Sequence, residues 1–217
     1  MRLVLLGLAL LLCAGLTYLA VALLGAGAPK AMVDASIGAA QFAFAADLAR
    51  DEETAAGGLA DRLAFVATFP DFAPRPARPA PAKGKSRPPE LVFVTITPKD
   101  DAIDPAERPD RLYARFLEAE AFVGPGGLVL RRFEPDSPYG LEQIYMAPPD
   151  GRGFFARCPK PAEDGGETQE PCLFLFRDGG LDVELRFSTA LLEQWEALND
   201  GAHAFVERIR ARPAKAK

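Results

Sequence analysis

The chain begins with a long apolar segment that carries no charge. Residues 3–29 contain no Asp, Glu, Lys or Arg. As a helix rising about 1.5 Å per residue they would extend roughly 40 Å, more than the about 30 Å hydrocarbon core of a bilayer. A cleaved signal peptide, the alternative, has a shorter apolar region of about 7 to 15 residues. The pattern therefore predicts an uncleaved transmembrane signal anchor over residues 1–29 that contacts the lipid bilayer through residues 3–29.

The next stretch is predicted to be helical. Residues 31–50 show the four- and three-residue spacing of apolar positions that is typical of an amphipathic helix, at Val33, Ile37, Ala40, Phe44 and Leu48. A second short helix is predicted over residues 58–69. We therefore expect a membrane-proximal helical segment over residues 30–72.

A change of composition then marks a linker. Residues 73–89 contain six prolines and five Lys or Arg residues, and no acidic residue. Proline-rich chains favour the extended polyproline II conformation and act as semi-rigid spacers. We predict a Pro/Lys/Arg-rich linker over residues 73–89.

Short strands dominate the pattern that follows. Residues 91–97, LVFVTIT, are apolar and β-branched, and further short apolar runs are separated by turn sequences. Asp178-Gly179 suits a type I′ turn, which predicts a hairpin. After that turn apolar and polar positions alternate, as in a strand with one buried face and one wet face.

Two helices are predicted to cover this sheet. Asp104, Pro105 and Glu107 resemble a helix start, and the internal helix is expected to restart at Pro109. Ser188 can cap a C-terminal helix whose apolar stripe includes Trp195 and Phe205, and Trp195 is expected to be among the most buried residues. The predicted fold class is α+β: an N-terminal transmembrane helix, then a mostly antiparallel meander-like sheet covered by an internal and a C-terminal helix. This α+β domain is placed at residues 90–212, with a tail at 213–217.

The interpretation of the two later cysteines depends on the compartment that they occupy. Arg2 before the predicted anchor and Lys30 after it mildly favour a cytoplasmic N-terminus, which would place the rest of the chain outside the cytoplasm, in the periplasm of a Gram-negative cell. In such an oxidising compartment Cys158 and Cys172 are predicted to form a structural disulfide. Fourteen positions separate them, so they do not form a C-x-x-C redox motif. Two cysteines are also too few for a structural zinc site, which normally has four Cys or His ligands. Two unpaired buried thiols are the alternative.

Net charge and amino-acid composition argue against nucleic-acid binding and against several kinds of metal site. The formal net charge is −5 although the linker contributes five cations, so nucleic acid is not an expected partner. The chain has one histidine, which excludes zinc sites built on several histidines. We therefore predict no catalytic residue, no metal site and no cofactor.

One polar feature suggests a ligand groove. Arg131 and Arg132 are consecutive in a predicted strand, so alternation turns them to opposite faces. Tyr139 and Tyr145 flank this region, and the four residues together are a possible ligand groove. The alternative is a strand end at which both arginines reach water.

Two functions remain open. The first is a single-pass, membrane-anchored extracytoplasmic binding or accessory scaffold protein of the cell envelope, with a protein partner there. The alternative is a membrane-tethered hydrolase that uses a carboxylate pair. Its carboxylates would come from two acidic runs, at Asp100, Asp101, Asp104 and Glu107 and at Glu163, Asp164, Glu167 and Glu170.

Overall fold

A nine-stranded antiparallel sheet organises the protein. The structure is a computed structural model of the 217-residue chain, and it describes residues 31–76, 89–161 and 170–211. From Met32 onward these residues form one compact unit. The strands are β1 Met32–Ile37, β2 Ala40–Ala45, β3 Gly58–Leu59, β4 Leu63–Thr68, β5 Ala73–Pro74, β6 Leu91–Pro98, β7 Leu117–Val123, β8 Val129–Phe133, β9 Glu142–Met146, β10 Phe155–Pro159, β11 Cys172–Asp178 and β12 Leu181–Phe187.

Two α-helices accompany the strands. They are the short α1, Glu52–Ala56, and the longer α2, Trp195–Ile209, which a 3₁₀ segment at Thr189–Gln194 precedes. Further single turns lie at Ala46–Leu48, Pro105–Glu107, Pro109–Tyr113, Ala114–Phe116 and Pro125–Gly127.

The order of the large sheet is β5-β4-β6-β12-β11-β10-β9-β8-β7. From β12 to β7 each strand pairs with its neighbour along the chain, which makes this half a meander. A smaller sheet has the order β2-β1-β3. Gly38, with φ of +55°, forms the turn between β1 and β2, where glycine avoids the strain of a Cβ atom.

One face of the large sheet, here called the helix face, carries the main core. Val94, Leu185 and Phe174 lie in register on β6, β12 and β11 and are buried there. Phe205 of α2 packs edge-on against Phe65 of β4, with ring centroids 5.5 Å apart. Phe44 of β2 packs on the other side of Phe65 at 4.9 Å. Helix α2 and the β1–β2 hairpin therefore cover this face together.

A second, smaller core lies on the opposite face. It contains Tyr113, Leu117, Phe133, Ile144 and Phe155, all buried. Tyr113 comes from the turns between Pro105 and Phe116, which thus cover the sheet where β8, β9 and β10 pair.

The predicted α+β fold class is wrong, because sheet dominates the described residues and α2 is their one long helix. Residues 31–50 form the β1–β2 hairpin, and the second predicted helix, at 58–69, contains strand β4 instead. β4 pairs with β6, so part of the predicted membrane-proximal segment belongs to the large sheet. The spacing of apolar positions suggested a helix because alanine occupies many of these positions. A run rich in alanine fits the two-residue period of a strand as well as the 3.6-residue period of a helix.

The predicted internal helix is also absent. Pro105 and Pro109 start two separate short turns, and the chain then enters β7. Proline lacks the N–H that a continuous helix would need at its interior positions, which explains the interruption.

The transmembrane part of the predicted fold class is corrected as well. Across residues 31–76, 89–161 and 170–211, no helix is both long and apolar enough to span a bilayer. The segment predicted as an anchor, most of the predicted linker (residues 77–88) and the tail 213–217 lie outside the described residues.

Candidate functional site

A disulfide joins the two strands next to the candidate site. Cys158 of β10 and Cys172 of β11 are bonded, with Cα atoms 4.1 Å apart, and both are fully buried. The predicted disulfide is confirmed. Because disulfides form and persist in oxidising compartments, this bond favours an extracytoplasmic location.

Two carboxylates of the first acidic run, Asp100 and Asp104, lie beside an arginine. Arg177 of β11 contacts Asp182, Asp100 and Asp104, at 2.6, 3.3 and 3.9 Å respectively. Burial alone would raise the pKa of Asp182. Hydrogen bonds from Arg177 and from the backbone N–H of Asp100, with the charge of Arg177, lower this pKa overall. A general acid needs a raised pKa, so Asp182 is suited to an ion pair rather than to that role.

One residue of the second acidic run reaches the candidate site. Residues 162–169 lie outside the described part of the chain, whereas Glu170 is exposed and lines the groove described below. Within the described ranges, no group of three or more His, Cys, Asp or Glu side chains is placed to hold a metal ion.

An unusually apolar sheet surface lies opposite the helix face. We call it the open face, and it consists of Val66, Leu91, Phe93, Thr95, Leu173, Leu175, Glu184 and Arg186, all but the exposed Arg186 half-buried. An antiparallel sheet with one face towards water normally alternates apolar with polar side chains. Strands β6 and β11 instead carry large apolar side chains on both faces, with Leu or Phe on the open face and Val, Ile or Phe on the helix face. Apolar surface of this kind is typical of interaction sites.

Register aligns these side chains in rows. Val66, Phe93, Arg186, Leu173 and Arg157 are successive partners across β4, β6, β12, β11 and β10. They therefore project from the same face, about 4.8 Å from one strand to the next.

This row ends in a groove of about 680 Å³, here called the arginine groove. Its polar and charged lining side chains include Tyr139, Glu142, Arg157, Glu170 and Arg186, and its apolar ones include Leu141 and Leu173. Leu173 and Arg186 belong to both the groove and the open face. The two features therefore form one continuous surface.

Arg157 is held firmly at the side of the groove. Its side chain is 17% exposed, and its Nη1 donates a hydrogen bond to Glu142 at 2.8 Å. The guanidinium lies 5.2 Å from the ring centroid of Tyr139 and 5.5 Å from that of Tyr113. Burial raises the pKa of Tyr113, although Arg157 and Arg108 act in the opposite direction. Tyr113 is therefore neutral at physiological pH.

A short loop forms the rim of the groove. This rim loop, residues 134–141, is closed by backbone hydrogen bonds from Ser137 to Glu134 and from Gly140 to Ser137. Ser137 Oγ also donates to the Glu134 carbonyl at 2.7 Å. A Cβ atom on Gly140 would lie 2.1 Å from the Pro135 carbonyl oxygen, so this crossing requires glycine. The loop presents Leu141, which is 86% exposed.

The four residues of the predicted groove do not converge. Tyr139 lines the arginine groove, whereas Tyr145 is buried on the helix face, where its hydroxyl accepts a hydrogen bond from Gln143. Arg131 lies on the side of Arg157 but donates to the Glu118 carbonyl. Arg132 turns to the other side, exposed, with its guanidinium 4.7 Å from the Phe122 ring centroid. The alternation predicted for the two arginines is thus confirmed.

Sequence reasoning missed Arg157, Arg186 and Leu141. A usable pattern existed, because residues 172–176, CLFLF, are apolar without alternation. In an antiparallel hairpin such a run implies apolar side chains on both faces.

Neither a protein-family model nor a curated protein matches the sequence. A solved structure with a similar fold is Smlt3025, an immunity protein of the Stenotrophomonas maltophilia type IV secretion system. The TM-score is 0.59 at 18% sequence identity, and the match covers 84% of this chain and 94% of that one. This likeness shows a shared fold.

Proposed function

We propose that this protein is an extracytoplasmic binding protein that neutralises a protein effector, in the manner of an immunity protein. The observation that carries the proposal is the open face, an apolar surface on an antiparallel sheet whose fold is shared with an immunity protein. The buried disulfide supports a location outside the cytoplasm.

The chemistry of the described residues favours binding over catalysis. Arg177 engages Asp100 and Asp104 of the first acidic run, together with Asp182, in ion pairs. The arginine groove presents tyrosine, arginine, glutamate and leucine side chains. Tyrosine and arginine are enriched among the residues that dominate protein–protein binding energies.

The proposal is tested by measuring whether the protein protects cells from killing by neighbouring cells of the parent strain. A strain of the encoding organism that lacks the gene is grown against the parent strain, and survival of the deleted strain is counted. We expect the deleted strain to be killed in contact with the parent. The wild-type gene supplied in trans should restore survival.

Matched variants connect protection to the open face. Phe93→Asp places a charge on the open face, whereas Leu59→Asp places one on a leucine that is 82% exposed on β3 of the smaller sheet. Phe93→Asp should lose protection and Leu59→Asp should keep it, with thermal unfolding showing that both variants fold. Equal survival of the deleted and parent strains would contradict the proposed function.

A further inference from the structure

We propose that the outer edge of β7 pairs with β7 of a second copy of this chain, antiparallel and with the two Phe122 residues opposite each other. This inference goes beyond the proposed function. Strands β10, β9 and β8 separate β7 from β11, the nearest strand of the open face. The pairing therefore leaves the open face available to a partner.

Strand β7 is the longer of the two edge strands of the large sheet. It has seven residues, whereas β5 at the opposite edge has two. Among the residues that the structure describes, β8 is the one strand that pairs with β7. An edge strand presents a row of unpaired N–H and C=O groups, which is a template for a further strand.

The hydrogen bonds of the β7–β8 hairpin show which backbone groups point outward. The N–H of Gly124 donates to the Leu128 carbonyl at 2.7 Å and so points towards β8. Along an antiparallel strand, successive residues point their backbone groups to alternate sides. Phe122 therefore points its groups towards β8, whereas Ala121 and Val123 point theirs away from the sheet. Both of these residues are exposed, Val123 by 91%.

The outward groups are symmetric about Phe122. When the two Phe122 residues lie opposite each other, Ala121 of each chain faces Val123 of the other. Each of these two pairs can exchange two hydrogen bonds, so that every outward N–H and C=O group of the four residues is satisfied. The Phe122 residues then form a non-hydrogen-bonded pair, in which side chains lie closest. Aromatic pairs across strands stabilise a sheet.

The placement of charges favours this register. The exposed Glu120 then lies opposite Gly124 of the other copy, and the two Glu120 residues are four positions apart, about 14 Å along the strand. Screening by salt weakens repulsion beyond about 8 Å. A register centred on Ala121 would bring the two Glu120 residues to diagonal positions about 7–8 Å apart. A register centred on Val123 would place Ala121 opposite Pro125, which has no N–H.

The neighbouring structure limits the pairing to a short stretch. The register between β7 and β8 shifts between Leu117 and Ala121, and Arg131 donates to the Glu118 carbonyl there. Such an irregularity disrupts regular pairing. The turn at Pro125–Gly127 ends the stretch on the other side. Because stable dimers bury larger interfaces, we expect a reversible dimer whose population rises with protein concentration.

Cysteine crosslinking in the encoding cells tests the register. Phe122→Cys and, as a matched control, Glu120→Cys are introduced into the full chain with Cys13→Ala, because Cys158 and Cys172 are already bonded to each other. We expect Phe122→Cys to give at least about tenfold more reducible dimer than Glu120→Cys, since Cα atoms more than about 7 Å apart cannot be bridged without backbone movement. No dimer from Phe122→Cys, or equal yields from the two variants, would overturn the proposal.

A charge exchange at Phe122 tests the pairing without a covalent bond. Phe122→Lys or Phe122→Glu places like charges directly opposite each other, whereas an equal mixture of the two variants places opposite charges there. In sedimentation velocity on the purified full chain, we expect each variant alone to dimerise at least roughly fivefold more weakly than the wild type, and the mixture to recover the dimer. A wild type that stays monomeric, variants that dimerise as well as the wild type, or a mixture that recovers nothing would each contradict the pairing.

Discussion

Arg177 and Asp182 face each other on adjacent strands and form a two-point ion pair. Nε lies 2.6 Å from Oδ1 and Nη2 lies 2.9 Å from Oδ2. The backbone N–H of Asp100 donates to the same carboxylate at 3.1 Å. The pair therefore fixes the segment after β6 to the β11–β12 hairpin.

This pair predicts how stability depends on pH. The pKa of Asp182 is lower in the folded protein than the about 3.9 of an unfolded chain. The unfolded state therefore takes up a proton first as the pH falls. The stabilisation is complete above about pH 5 and is lost as the pH falls through about 4 towards the folded pKa.

Urea unfolding between pH 7 and pH 3 measures this loss. Asp182→Asn should be less stable at pH 7 and should lose less stability on acidification. Asp51, whose pKa is also lowered, leaves a remaining slope. An Asp182→Asn curve parallel to that of the wild type would contradict the assignment.

Two adjacent glycines offer a matched test of how the β7–β8 turn docks on the C-terminal helix. Both Gly126 and Gly127 have positive φ, so alanine costs about 1–2 kcal/mol at either. A Cβ atom on Gly126 would also lie 2.9 Å from Trp195 Cδ1 and 3.0 Å from the Leu192 carbonyl oxygen, whereas one on Gly127 meets open space.

Gly126→Ala should therefore be the more destabilising substitution in thermal unfolding. It should also change the fluorescence of Trp195, the chain's single tryptophan, whose Nε1 donates to the Gly126 carbonyl at 3.0 Å. Equal melting temperatures for the two variants would mean that this contact is not formed.

Helix α2 is held by Phe205 more than by Trp195. Phe205 is fully buried against Phe65 and Phe72. Trp195 is only half-buried, so the expectation that it is among the most buried residues is wrong. Phe205→Ala should lower the free energy of unfolding by about 3–5 kcal/mol, and Trp195→Ala by less. The reverse order in urea unfolding would contradict this packing.

The disulfide should stabilise the domain measurably. On the chain-entropy model, closing a loop of this length contributes about 3 kcal/mol. The double variant Cys158→Ala/Cys172→Ala should lose at least that much, because replacing two buried cysteines by alanine also removes packed side-chain atoms. Urea unfolding of oxidised wild type and of the variant provides the measurement, and coincident midpoints would refute the expectation.

Sequence pattern predicted those elements whose local signals agree with their tertiary environment. The strand at Leu91–Thr97, the β11–β12 hairpin and the C-terminal helix are confirmed, although the hairpin turns at Gly179-Gly180, one residue later than the predicted Asp178-Gly179. In each case composition, periodicity and turn chemistry point to the same structure.

Elsewhere tertiary pairing overrode local preference. β7 has the sequence LEAEAFV, and Glu and Ala are depleted in strands. It is a strand because it pairs with β8, which no local pattern reveals. The arginine groove combines residues from the rim loop, β10, β11 and β12. Its formation depends on strand order, and the sequence does not specify that order directly.

Hydroxyl-radical footprinting of the protein, alone and bound to its protein partner, tests the central claim most directly. Oxidation is measured by mass spectrometry at each side chain. On this account Phe93, Leu141, Leu173 and Leu175 become protected in the complex, whereas Leu59 and Val123, exposed elsewhere, react equally in both states. Unchanged oxidation of the open face, with protection confined to α2 and the β1–β2 hairpin, would contradict the account.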